Sequence, residues 1–244
     1  MLNNFYKTIH NKYSRFFKFI FFLRYLLIIF FISIVVFLIT PTFFDYKKKS
    51  EVIKLYLLEN YNFEISNYEK IKYNIFPLPN LELINVQINL KSLEENLSVK
   101  KIKIYPNLLN IYNYKNFNSN KVTFKDGDIK FQIYDLKFFA NQLFYQKKKL
   151  SFKNLNLKLM DEKIPVITFN NINFANYGYN DNLIKGKVFD KNFKVKIDDD
   201  YKNINFKLLN SGINADINFS ENQKENLKIG VFKSKMLNTN FKSN

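Results

Sequence analysis

From about residue 62 onward, apolar and polar side chains alternate. Ile129, Phe131 and Ile133 are separated by polar neighbours, and so are Phe193, Val195 and Ile197. The same holds for Ile204, Phe206 and Leu208, for Ile213, Ala215, Ile217 and Phe219, and for Leu227, Ile229 and Val231. A period of two is that of a strand with one apolar and one polar face. Turn residues separate the runs: Lys125-Asp126-Gly127-Asp128, Tyr177-Gly178-Tyr179-Asn180, Asp198-Asp199-Asp200 and Asn210-Ser211-Gly212. The spacing predicts roughly ten to twelve strands in an antiparallel meander.

Two runs change phase midway. Leu81 and Leu83 give way to Ile84, Val86, Ile88 and Leu90, and Phe152 gives way to Leu155, Leu157 and Leu159. A slip of one residue is what a β-bulge produces, and bulges bend a sheet. A bent, one-sided sheet either curls into a groove or is covered to make a closed core. The pattern leaves both open.

The N-terminal pattern is different. Tyr25 to Phe44, YLLIIFFISIVVFLITPTFF, carries no charge and has the roughly 20 residues a helix needs to cross a bilayer. Phe19 to Leu23 extend the apolar run backwards across Arg24, and Pro41 marks a helix end. The run is too long for a signal-peptide core, and Ile39-Thr40-Pro41-Thr42-Phe43 offers no small-residue cleavage site, so it reads as an uncleaved anchor. Lys7, Lys12, Arg15, Lys18 and Arg24 precede it with no acid, which places residues 1–24 in the cytoplasm. Lys47, Lys48 and Lys49 on the far side weaken that bias without reversing it. Residues 47–61 then place Val52, Ile53, Tyr56, Leu57 and Tyr61 at helical spacing, with Ser50 as the expected cap and Glu51 in the first turn. The predicted fold class is mainly β: a transmembrane helix over 25–44, a short amphipathic helix, and a curved antiparallel meander or groove, all beyond the anchor lying in one domain over 46–244.

Composition adds exclusions. The formal net charge is +17, yet only Arg15 and Arg24 are arginine, whereas nucleic-acid readers lean on arginine's bidentate contacts. The lysines are spread along the chain with no concentrated patch, so the charge reads as compositional bias and nucleic acid is not an expected partner. No cysteine occurs, which excludes disulfides, thiolate metal sites and cysteine nucleophiles.

The stretch from Tyr61 to Ile104 is the most specific. Tyr61-Asn-Phe-Glu-Ile-Ser is followed by Tyr68-Glu-Lys-Ile-Lys-Tyr-Asn-Ile-Phe-Pro-Leu-Pro-Asn-Leu-Glu-Leu-Ile-Asn-Val-Gln-Ile. With the preceding membrane helix, this resembles the N-terminal module of the AsmA family of envelope proteins. Phe76, Pro77 and Pro79 stand at its Phe-Pro-x-Pro element, and Leu81, Leu83, Asn85 and Val86 at the strand that follows. Leu97 to Ile104 looks like the family's next strand, Pro106-Asn-Leu-Leu-Asn-Ile-Tyr like its Leu-rich connector, and Val122 to Ile129 like a further strand and turn. The resemblance covers roughly 20–135. Independently of it, two donor-less prolines keep this segment out of a ladder and predict an extended crossing into the next strand.

The resemblance implies a single-pass inner-membrane protein, with its bulk in the periplasm, that takes part in outer-membrane biogenesis. It would hold or conduct phospholipid acyl chains along an apolar β-groove. The assigned lining is Leu83, Val86, Ile88, Ile102, Ile104, Phe131, Ile133, Leu155, Leu157, Val195, Ile197, Phe206 and Ile217. The alternative is a non-enzymatic scaffold or regulator of protein targeting and assembly at the outer membrane, with an envelope protein as partner. A lipopolysaccharide-transport component shares the anchor-plus-β design but not the Phe-Pro-x-Pro element.

Enzymatic chemistry finds little support. His10 is the single histidine and lies in the cytoplasmic arm, so no Ser–His or Cys–His pair is possible beyond the membrane. Asp198-Asp199-Asp200 could ligate calcium but lacks a glycine-containing loop spacing and reads as a solvated turn. Asp126 and Asp128 read as a hairpin turn around Gly127, and Glu94 and Glu95 as a solvent-facing loop. Lys147-Lys148-Lys149 reads as a loop between strands. Phe138, Phe139, Phe144 and Tyr145 suit a groove lining and a core filling equally. Neither a catalytic residue, a metal nor a cofactor is expected.

Overall fold

The computed structural model describes residues 13–90, 96–113, 117–136, 139, 143, 145–179, 181–198, 202–222, 227–236 and 239–243. The chain divides after Phe44 into two compact units.

The first unit is helix α1, Ser14–Ile39, of 26 residues, prolonged by a 3-10 turn over Thr40–Phe43. At ~1.5 Å per residue α1 is about 39 Å long, more than the ~30 Å of bilayer hydrocarbon. Its apolar stretch Lys18–Phe43 has a mean hydropathy of 2.8, so it is long and apolar enough to span a membrane. The helix begins well before Tyr25 because Lys18 and Arg24 do not interrupt helical hydrogen bonding. Its hydroxyls are satisfied internally. Ser33 Oγ donates to the Ile29 carbonyl and Thr40 Oγ1 to the Val36 carbonyl, each at 2.8 Å.

The second unit opens with helix α2, Tyr46–Tyr61. Its cap is Asp45, whose carboxylate accepts the Lys47 N–H at 3.1 Å, and not Ser50. Ser50 lies inside the first turns and spends its hydroxyl on the Lys47 carbonyl at 2.8 Å. Asn62, in the left-handed region at φ 57°, ends the helix. Ile53, Tyr56, Leu57 and Tyr61 form its buried stripe. Burying each large apolar side chain stabilises by roughly 1.5–3 kcal/mol. Tyr56 ties the helix to the sheet: its hydroxyl accepts the Ser119 N–H at 3.0 Å and shares a hydrogen bond with Ser119 Oγ at 2.9 Å.

Thirteen strands then build one open sheet that does not close into a barrel. They are β1 (Phe63–Asn67), β2 (Lys70–Asn74), β3 (Asn80–Leu90), β4 (Asn96–Pro106), β5 (Ser119–Gln132), β6 (Leu150–Asp161), β7 (Ile164–Ala175), β8 (Leu183–Val188), β9 (Lys191–Ile197), β10 (Asn203–Leu208), β11 (Ile213–Asn222), β12 (Leu227–Met236) and β13 (Thr239–Ser243). Their spatial order follows the sequence except at the start, where β1 and β2 both pair with β3. β1 lies against Gln87–Leu90 and β2 against Asn80–Ile84, so the two together make one broken edge.

Three expectations change here. The Phe76-Pro77-Leu78-Pro79 element is not an extended crossing. Asn74 pairs with Asn80, so the element is the loop of the β2–β3 hairpin, where absent donors cost nothing. The meander is not wholly antiparallel either, since β5 and β6 run parallel, Val122 beside Leu150 through Gln132 beside Met160. A parallel pair needs a long return connection, and Ile133 to Lys149 provides it. That crossover begins with a 3-10 turn over Ile133–Asp135 and puts Phe139 and Leu143 on the apolar face, Phe139 4.4 Å from Phe131 between ring centres.

The third concerns Lys125-Asp126-Gly127-Asp128, which is no turn but the middle of β5. Asp126 takes φ 54°, and Asn85, Asn154 and Asn171 take 49°, 56° and 52° on β3, β6 and β7. Pairing places these residues on one line, because Ile84 faces Lys101, Lys101 faces Lys125, and Lys125 lies beside Lys153. The phase slips foreseen on β3 and β6 are two members of a crease running across β3 to β7. At each member the buried side switches between odd and even residues. Asn and Asp tolerate the left-handed region best among non-glycine residues. The crease is also laced by side chains: Asn154 Nδ2 donates to Asp126 Oδ1 at 2.6 Å, and Asn85 Nδ2 to Glu69.

Gly127 sits where the crease brings strands closest. A Cβ there would stand 2.5 Å from Val99 Cγ1 and 2.6 Å from the Ser98 carbonyl oxygen. Gly127→Ala is therefore expected to destabilise the protein by about 1–3 kcal/mol through overpacking. Chemical denaturation of the full chain in detergent checks this.

Candidate functional site

Side chains on the apolar face fall into two regimes. On β3 to β5 the assigned groove residues Leu83, Val86, Ile88, Ile102, Ile104 and Phe131 are all at most 1% exposed. Helix α2 and the crossover cover that face of the sheet, so these six fill a closed core and line no accessible trough. Their alternation is the same as a groove's; only the covering elements distinguish the two.

From β6 onward the covering stops short. Leu155 and Leu157 of β6 and Val195 of β9 line an apolar cavity of about 260 Å³. Leu136, Phe139 and Leu143 of the crossover bound one side, and Phe169, Ile172, Phe174, Ile184 and Phe193 continue the wall over β7 to β9. Every lining side chain is apolar. Leu157, Phe169, Ile184 and Val195 remain partly exposed, so the cavity reaches the surface. An apolar cavity of ~150 Å³ already admits a benzene-sized guest and excludes water, so this volume suits a length of hydrocarbon chain.

The apolar face continues past the cavity as cross-strand rows. Ile184 pairs with Val195, Val195 with Phe206 and Phe206 with Ala215; Ile197 pairs with Ile204 and Ile204 with Ile217. Phe206 and Ile217, both assigned to the groove, are half-buried here, while Ile197 is 2% exposed. Phe193 stacks on Phe206 at 6.2 Å between ring centres. Ile133 is the misplaced member: it falls in the 3-10 turn after β5 and is 45% exposed, because the strand ends at Gln132.

Phe169 and Ile172 were hidden from strand alternation by the crease between them, and Leu136 and Leu143 belong to a crossover that the meander reading did not contain. Phe139 is buried, Tyr145 is exposed, and Phe138 and Phe144 lie outside the described residues. His10, Glu94, Glu95, Asp199 and Asp200 also lie outside them. Among the described residues no three of His, Asp and Glu come together as metal ligands would.

The opposite face carries one buried charge. Glu82 of β3 is 3% exposed, and its carboxylate lies 3.5 Å from Lys101 Nζ, 3.5 Å from Lys103 Nζ and 4.0 Å from Lys72 Nζ. Asn74 Nδ2 donates to its second oxygen at 2.8 Å. Burial works to raise the Glu82 pKa, but Lys103, Lys72 and Lys101 together hold it below the usual carboxylate value.

No protein-family model matches the chain, and no curated protein does.

A depressed folded-state pKa means that the stability from Glu82 is complete above the ordinary carboxylate value and is lost as pH falls through the folded one. Glu82→Gln is expected to cost about 1–3 kcal/mol at neutral pH, since it leaves three lysines facing a neutral group. It should also flatten the acid limb of stability against pH. Urea midpoints of the full chain in detergent, measured across the acid range for both proteins, check the pair of effects.

Proposed function

We propose that this chain is a single-pass, AsmA-like envelope protein that holds phospholipid acyl chains along the apolar face of its sheet. The arm before the helix carries basic residues without acids, so the N-terminus is assigned to the cytoplasm and the sheet to the periplasm. One observation carries the lipid reading. A cavity with only apolar lining continues into uncovered apolar rows on β8 to β11, in a chain whose N-terminal helix is long and apolar enough to span a bilayer. A wholly apolar, partly open surface selects for hydrocarbon and offers no group to catalyse a reaction. The role is accordingly binding or conduction. The Tyr61–Ile104 resemblance supports outer-membrane biogenesis as its setting.

The sealed half of the sheet favours a second reading. A filled core over β3 to β5 suits a scaffold that helps target or assemble proteins at the outer membrane, with an envelope protein as partner.

Photocrosslinking separates the two. A benzophenone amino acid placed at Val195 or Phe206 of the full chain, in cells labelled with radioactive phosphate, is expected to yield a lipid adduct on irradiation. The same group at Phe76 or Leu78, exposed in the β2–β3 loop and on neither the cavity nor the apolar rows, should yield far less. Equal labelling at all four positions, or none at Val195 and Phe206, would sink acyl-chain binding and leave the scaffold.

A further inference from the structure

Strand pairing gathers lysines that the sequence scatters. Lys101 of β4 faces Lys125 of β5, which lies beside Lys153 of β6. The pairing of Phe152 with Phe174 sets Asn173 of β7 next in line, and Asn173 pairs with Lys185 of β8. Lys185 faces Lys194 of β9, Lys194 faces Lys207 of β10, Lys207 faces Asn214 of β11, and Asn214 faces Lys235 of β12. One transverse row over nine strands thus holds only lysine and asparagine. At ~4.8 Å per strand it is about 38 Å long.

Such a row opposes folding. Four of its steps place lysine directly against lysine, an arrangement that weakens a sheet, while at Lys101 the Glu82 carboxylate stands opposed at 3.5 Å. At Lys125 burial, then Lys103 and Lys153, lower the pKa, while Asp126 works to raise it.

A recess of about 420 Å³ lies on this face between Lys153 and Lys185, with Ser151, Asn173 and Tyr177 around it. At its rim Tyr179 is fully exposed, where an aromatic ring gains nothing from water. Lysines with a protruding tyrosine are the combination that settles at a lipid headgroup layer. Lysine meets a headgroup phosphate as a point charge, whereas the bidentate geometry of arginine, favoured for nucleic acid, is missing from the row. Phe44 and Asp45 alone separate α2 from the apolar stretch Lys18–Phe43, so a bilayer crossed by that stretch would meet the chain next to the second unit in sequence.

We propose that the lysine row and its tyrosine-rimmed recess form a docking face for an anionic phospholipid surface, the lysines meeting headgroup phosphates and Tyr179 seated among them. This face is the reverse of the acyl-chain trough and stands or falls independently of it.

The absence of native cysteine makes the test clean. Tyr179→Cys in the full chain, labelled with an environment-sensitive fluorophore, is reconstituted into phosphatidylcholine vesicles with or without phosphatidylglycerol. A blue shift only with phosphatidylglycerol is expected. It should vanish as salt rises from ~0.1 to ~1 M and the screening length shrinks from ~10 to ~3 Å. Replacing Lys153, Lys185, Lys194 and Lys207 together by Gln should lower the docked-to-undocked ratio about 100-fold or more. The salt titration of the chain with all its lysines carries the test if that variant does not fold, as read by circular dichroism. The same emission in both vesicle types would overturn the proposal. So would a folded Gln variant that still docks, or a shift produced by soluble polyphosphate but not by phosphatidylglycerol.

Discussion

A sheet with one apolar face has to hide that face, and the extent of its cover governs everything else in this molecule. Helix α2 reaches β5 through Tyr56 and Ser119, and the Ile133–Lys149 crossover lays Phe139 on Phe131 of the same strand. Where they reach, side chains such as Leu83 and Ile102 are fully enclosed; past β9, residues of the same type and register are half-exposed. The apolar character of the strands does not decline at the boundary. Only the cover does, and so the cavity forms there, with the crossover on one side and bare sheet on the other.

The crease keeps this arrangement one-sided. Strands of eleven to fourteen residues, as β3 and β5 are, accumulate twist, and a flat ladder of that length packs poorly against a helix. Left-handed residues on four of the strands, β3, β5, β6 and β7, together with a phase switch on β4, let the sheet bend across all five. Side-chain bonds such as Asn154 to Asp126 join neighbouring members across the parallel pair. Each sequence compensates by moving its apolar residues over by one position, as Leu83 and Val86 do around Asn85.

Much of this was legible in residue order. The long apolar helix, the amphipathic helix, the strands and two of the five phase slips follow from periodicity, which depends only on local geometry. What was not legible depends on partners. Lys125-Asp126-Gly127-Asp128 has a turn's composition, but the close approach of Val99 and Ser98 is what demands its glycine. Asp45 and Ser50 are both competent caps, and helix packing selects the first. The parallel pairing of β5 and β6 depends on register between strands seventeen residues apart, which alternation within either strand does not report. Six of the thirteen assigned groove residues proved to be enclosed core for the same reason: alternation reports which side of the sheet a residue faces, not whether that side is covered.

Charge follows the same logic with larger consequences. The lysines look dispersed along the chain because most strands contribute between one and three, yet register adds single residues from different strands into a line. Compositional drift toward lysine supplies the residues but does not align them, since a shift of one position on any strand would turn its lysine toward the apolar face. The alignment is therefore tied to the apolar pattern: the constraint that keeps Phe193, Val195 and Phe206 on one side fixes Lys194 and Lys207 on the other. A folding cost from like charges in contact comes with that constraint. An anionic surface would turn this cost into a gain, because it neutralises lysines of the row without asking any strand to change register.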